Sequence, residues 1–299
     1  MKQWIGIAVL ALLGLTGCED VIEVETPETE TRLIVEGLIR VDTTQQYLPV
    51  AIRLSETASF FGEIRPVDDA EEVTIILQVF KADGSVETGN SELELSPEGN
   101  GVYIPVVVPG DVDERIATSI VNEDALYTLV ITRNGRRYAA QTRYAPSVPI
   151  DQLALGEDSL FEADETELQV TYTDLPDQDN FYILDLGFGE YLPTEDTFYK
   201  GQTFGFSYFY DQSFAPGTVL EVGILGADQQ FYNYMNLLVQ QSQDQNNPFQ
   251  TPVATVRGNV FDVTGLNNID RFDSTGQPEV FPLGYFAIVQ EFRDSITIP

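Results

Sequence analysis

The stretch Tyr127-Thr128-Leu129-Val130-Ile131-Thr132-Arg133, followed by Asn134-Gly135 and then Arg136-Arg137-Tyr138-Ala139-Ala140-Gln141-Thr142, decides how this chain is read. The two flanking runs are rich in β-branched and aromatic residues, which fit a pleated surface. Asn-Gly between them supplies the two positive-φ positions that a tight hairpin turn needs. The stretch is therefore a β-hairpin, and the segments upstream repeat its pattern. Leu33 to Ile39 reads as a buried strand, and Val50 to Leu54 as a second. Val73 to Phe80 is a longer one, closed by the turn signal Ala82-Asp83-Gly84-Ser85. Leu93-Glu94-Leu95 alternates, Gly99-Asn100-Gly101 turns, and Val102 to Val108 returns. Six or seven short strands in about 110 residues predict an immunoglobulin-like β-sandwich over residues 32–147. Asp111 to Asp124 fits no strand and reads as an insertion loop or a short helix.

Pro146 and Pro149 mark a boundary, and residues 148–299 read as a second β-rich domain. Leu168 to Thr173 alternates as a strand. Phe181 to Phe188 is apolar on both faces, and Val219 to Leu225 is a further strand. Asp228 can cap one prominent helix near residues 229–241. Phe231, Tyr234, Met235 and Leu238 fall at helical spacing on it and form its packing stripe. Arg257 to Val260 and Leu283 to Phe292 read as strand pieces. The fold class expected is mainly β.

The start of the chain is an address. Lys2 gives a positive start, and the apolar run Ile5 to Leu15 has the length of a signal-peptide core, well short of the roughly 20 residues a spanning helix needs. Leu15-Thr16-Gly17-Cys18 resembles the lipobox of bacterial lipoproteins, in which cleavage precedes the cysteine. That resemblance implies a signal peptide over residues 1–17 and lipidation of Cys18, the only cysteine. Two or more acyl chains hold a protein stably on a membrane, whereas one does so marginally. Residues 18–31 form an acidic tether containing Glu19, Asp20, Glu23, Glu25, Glu28 and Glu30. Such a run after the lipidated cysteine resembles a surface-export signal of Bacteroidota lipoproteins. The location implied is the outer membrane, lipid-anchored and facing the cell surface, the alternative being a solvated linker on a periplasmic protein.

Composition excludes much else. The formal charge is −33, from 15 basic and 48 acidic residues. A field of that sign repels phosphate backbones, so nucleic acid is not a partner. There is no histidine, and the single tryptophan, Trp4, lies in the signal peptide. Catalytic triads with His, His-ligated zinc and His general bases are therefore impossible. Neither a phosphate-binding GxxxxGK[ST] loop nor a GxSxG elbow occurs. Carboxylate chemistry and oxygen-ligated metal remain open.

Four groups of residues are candidates for a ligand, metal, catalytic or partner site. Phe204, Phe206, Tyr208 and Tyr210 are two apart and share one strand face. That face could meet a ligand or partner; burial within the domain is the commoner fate of such residues. Asp174, Asp177 and Asp179 form an oxygen-rich loop with the donors calcium prefers, although without EF-hand spacing, so an acidic turn is the plainer reading. Glu190, Glu195 and Asp196 offer carboxylates for glycoside hydrolysis, which needs two of them about 5 to 10 Å apart. Asp244 to Phe249, after the helix, could be a partner-facing loop or a structural cap.

Tyr232-Asn233-Tyr234, Leu237-Leu238, Asn247-Pro248-Phe249, Pro252, Val256, Gly258-Asn259-Val260 and Leu283-Gly284-Tyr285-Phe286 follow one another in the second half. Leu33 to Gly37, Gly101-Val102-Tyr103 and Tyr127-Thr128-Leu129 precede them. This ordered set resembles the Bacteroidota lipoprotein family known as domain of unknown function 4249. Members are typically encoded beside TonB-dependent outer-membrane transporters of the starch-utilisation type. The resemblance implies a non-enzymatic accessory protein that assists such a transporter in nutrient capture or uptake. The alternatives are a stand-alone adhesin or glycan-binding lipoprotein and, behind it, a carboxylate-dependent hydrolase.

Overall fold

A computed structural model describes residues 31–57, 64–159, 165–176, 178–243, 256–265 and 281–299. The protein is mainly β, with 54% of residues in strands and 8% helical. In chain order the first strands are β1 (Leu33–Val41), β2 (Ile52–Glu56), β3 (Arg65–Pro66), β4 (Glu72–Phe80), β5 (Val86–Leu95) and β6 (Val102–Pro105). β7 (Val107–Val108) and β8 (Val112–Asp113) make a two-stranded flap, and a 3₁₀ turn covers Thr118–Asn122. The section that fitted no strand thus holds a scrap of strand and a short helical turn. β9 (Ala125–Arg133) and β10 (Arg136–Ala145) are the expected hairpin, paired from Arg133↔Arg136 outward, with Asn134 and Gly135 at φ of 52° and 69°.

The second half adds β11 (Ile150–Leu155), β12 (Thr166–Thr173), β13 (Phe181–Asp185), β14 (Tyr191–Glu195), β15 (Thr203–Tyr210) and β16 (Val219–Ala227). Then come helix α1 (Gln229–Gln243), β17 (Val260–Asp262) and the last strand, β18 (Leu283–Thr297). The phenylalanine amide of Phe231 donates to Asp228 Oδ1 at 2.7 Å, the expected N-cap.

Two sheets face one another in the sandwich. One runs β18-β1-β2-β6, the other β5-β4-β9-β10-β17. Both sides are bridged: β5 pairs with β4 and, at its far end, with β6, while the tail of β10 reaches β18. Val35, Ile39, Ile52, Leu54, Ile75, Tyr127, Leu129 and Ile131 fill the space between, all at most 1% exposed. At about 25 cal/mol per Å² of apolar surface, this burial is the main term holding the sandwich.

β18 crosses from the second half of the chain into this first unit. It lies parallel to β1 from Leu283 to Gln290, then antiparallel to β16 from Glu291 to Thr297. Its side chains alternate between two cores. Phe286 and Ile288 enter the sandwich, whereas Tyr285, Ala287 and Val289 pack beneath α1 with Phe231, Met235, Ile183 and Leu225. A third core lies between the small sheet β11-β12-β15 and strands β13 and β16. β13 is buried on both faces, Tyr182 and Leu184 toward the small sheet and Ile183 toward the helix. Arg40 on β1 ties the units together, donating to Asp185 at 2.5 Å, Glu291 at 3.1 Å and the Tyr191 hydroxyl at 3.3 Å.

Candidate functional site

Helix α1 has a second stripe besides the one that packs. Gln230, Asn233, Tyr234 and Leu237 fall at i, i+3, i+4 and i+7, so they share a face. That face forms one wall of a cleft of about 530 Å³. Gly258, Asn259 and Tyr285 contribute to its lining, together with Gln141, Arg257 and Phe261. The size is that of a small-ligand site.

Close backbone packing builds this wall of the cleft. Gly284 has φ of +91°, and a Cβ there would lie 2.0 Å from the Val35 carbonyl oxygen. A Cβ on Gly258 would lie 1.5 Å from the Gly284 oxygen. Only glycine permits both approaches. Between them Asn259, 8% exposed, clamps β18. Its Nδ2 donates to the carbonyls of Phe286 at 2.8 Å and Gln141 at 3.0 Å, and its Oδ1 accepts from the Phe286 amide at 2.9 Å. β10 meets β18 only at Ile288 and Val289, so the Asn259 amide stands in for backbone two residues earlier.

Tyr234 and Tyr285 rest ring against ring, centroids 4.8 Å apart, and Tyr285 also meets Phe231 at 5.1 Å. Burial, aided by nearby Glu36 for Tyr234 and Asp228 for Tyr285, pushes both phenols above their ordinary pKa. They stay neutral at any physiological pH. Among the described residues the lining is neutral amide, phenol and the apolar Leu237 and Phe261 with one guanidinium, and no carboxylate. Clefts of about 350, 610 and 860 Å³ elsewhere each contain Asp or Glu. In a chain with 48 acidic residues, that contrast among the described residues makes the helix cleft a candidate site whose amides and phenols could meet a polar ligand.

The residues singled out in the sequence lie elsewhere. Phe204, Phe206, Tyr208 and Tyr210 do share a face of β15, and it turns inward onto the third core; Tyr210 is buried and the other three half-buried. Their rings interlock, with Tyr199 stacked on Phe204 at 4.2 Å. Asp174 is buried, with Oδ1 accepting from the Tyr182 hydroxyl and Oδ2 from the Gly201 amide, each at 2.7 Å. Asp179 pairs with Lys200 at 2.7 Å, and Asp177 lies outside the described residues. Among the described residues no group of three Asp, Glu, Cys or His side chains is arranged to hold a metal ion. Glu190 precedes the extended strand β14 and Glu195 ends it, about 16 Å apart along the backbone, beyond the spacing of a glycosidase pair. Asp196 is buried against Asn180. Cys18 and Asp244 to Phe249 fall outside the described residues.

Comparison with protein families matches residues 19–267 to a domain of unknown function, DUF4249. The chain belongs to that family. No curated protein matches it. Several residues that carry the family resemblance, Asn233, Tyr234, Leu237, Gly258, Asn259 and Tyr285, converge on the helix cleft. Sequence reading missed the cleft because its parts lie more than 140 residues apart, from Gln141 to Tyr285.

Proposed function

We propose that the protein is a lipid-anchored outer-membrane accessory protein, facing the cell surface, that assists a TonB-dependent transporter in nutrient capture or uptake. The observation that carries this reading is the placing of the family match, which begins at residue 19, immediately after Cys18 of the lipobox-like Leu15-Thr16-Gly17-Cys18. The family match thus starts where the chain following a lipidated cysteine would start. The genomic company of the family supplies the transporter, and the −33 charge favours acyl chains over a basic patch as the attachment. No catalytic role is assigned. Affinity purification of the tagged chain from host outer membranes tests the proposal: a TonB-dependent transporter should be recovered, and its repeated absence refutes the role.

The cleft, whose described lining holds no carboxylate, favours a second reading, a stand-alone adhesin or glycan-binding lipoprotein. Amide side chains and phenols are donors and acceptors suited to sugar hydroxyls. The purified chain on a glycan array separates the two, since a stand-alone lectin binds with no partner present and loses binding in an Asn233→Ala variant.

A further inference from the structure

Among the described residues, strand β15 is paired on one side only. The small sheet runs β11-β12-β15, so β15 is its edge. The ladder fixes which groups are left open. The Asp174 amide donates to the Gln202 oxygen, and the Gly156 amide to the Glu167 oxygen. In an antiparallel pair, hydrogen-bonded and non-hydrogen-bonded positions alternate. Phe204, Phe206, Tyr208 and Tyr210 therefore bond to β12, and the N–H and C=O groups of Thr203, Gly205, Ser207 and Phe209 point to the open edge. No described residue is hydrogen bonded to these four backbones.

Proteins blunt such edges with proline, charge, bulges or shortness. Other edges of this molecule carry those devices. β14 has Pro193 at its centre, β17 is three residues long and ends on Asp262, and β11 has Asp151 at an irregularity between Ile150 and Gln152. β15, Thr-Phe-Gly-Phe-Ser-Tyr-Phe-Tyr, has none over eight residues, and bears no charge in a chain of net −33. Phe204, Phe206 and Tyr208 on its inner face remain half-buried. In the turn leading into it, Phe198 stands 92% exposed.

We propose that the open edge of β15 is a docking site for an extended segment of a partner protein, which adds to the small sheet as a fourth strand. Only an extended backbone presents alternating donors and acceptors in the right spacing. Its inward side chains would lie beside Phe204, Phe206 and Tyr208 and complete their cover, so the segment alternates apolar with small or polar residues. A second copy is disfavoured as occupant because two bodies of this charge repel. The proposal rests on the accessory reading only in supposing that a partner protein lies beside the chain.

Residue-resolved hydrogen exchange on the full chain tests it, first purified and dilute in mild detergent, then in host membranes. In the dilute chain the amides of 203, 205, 207 and 209 exchange quickly and those of 204, 206 and 208 slowly. In membranes the first set slows by about tenfold or more. Ser207→Pro removes an outward N–H without touching the β12 ladder and abolishes that gain. Ser207→Ala, which loses only the side-chain bond to Glu167, keeps it. Should the proline variant fail to fold, Ser207→Lys places a charge on the edge and gives the same loss. Slow exchange of the four amides in the dilute chain, slowing that follows the chain's own concentration, no change in membranes, or protection that survives Ser207→Pro each overturns the proposal. Protection gained with no transporter recovered refutes the transport role and leaves the docking edge standing.

Discussion

Replacing Asn259 by alanine tests the joint that makes one body of the two halves. The side chain satisfies the Phe286 amide and two carbonyls, of Phe286 and Gln141, in a spot where the residue is 8% exposed. An orphaned buried donor or acceptor costs about 1–3 kcal/mol. The amide loses its sole described partner at 2.9 Å and the carbonyls lose one bond each, so the expected loss is about 3–5 kcal/mol. Asn259→Asp keeps the acceptor for the Phe286 amide but sets a carboxylate against two carbonyls, and costs at least as much. Urea unfolding of residues 19–299, followed by far-ultraviolet circular dichroism, gives the midpoint and slope. A fall in midpoint at unchanged slope, worth the stated amount, supports the clamp. A change under about 1 kcal/mol, the size of an exposed hydrogen bond, refutes it.

Two further outcomes follow from local geometry. Asp228→Ala removes the cap on the Phe231 amide and should cost about 1 kcal/mol in the same unfolding assay. Burial pushes the phenols of Tyr144 and Tyr210 up to about 12, with Glu190 and Asp185 assisting at Tyr210, against an unfolded value near 10. Their contribution to stability is whole below about pH 10 and is lost as pH rises through the window to 12, because the unfolded chain ionises first. Tyrosinate absorbance, unobscured by tryptophan once Trp4 is removed, should lag behind free tyrosine and then appear together with unfolding.

Local chemistry made much of the fold legible. The Asn134-Gly135 hairpin, the β4 strand and the Asp228-capped helix each follow from a few adjacent residues. β14 escaped notice because Pro193 sits in its middle, a residue tolerated there only because the strand is an edge. The parallel placing of β18 between β1 and β10 leaves no local trace, since alternation reveals a strand and not its partners. What the sequence did hold was Gly258, Asn259 and Gly284, whose need for glycine or amide becomes clear only when three backbones meet. The aromatic run of β15 was visible as a strand with one aromatic face; which way that face turns depends on a sheet assembled from 150 to 210.

The attachment at Cys18 bears the whole functional account, and the mass of the amino-terminal peptide of the protein isolated from host membranes tests it most directly. The account predicts a chain that begins at Cys18 and carries acyl groups on its sulfur and new amino group. A free thiol at Cys18, or residues 1–17 still in place, would contradict it.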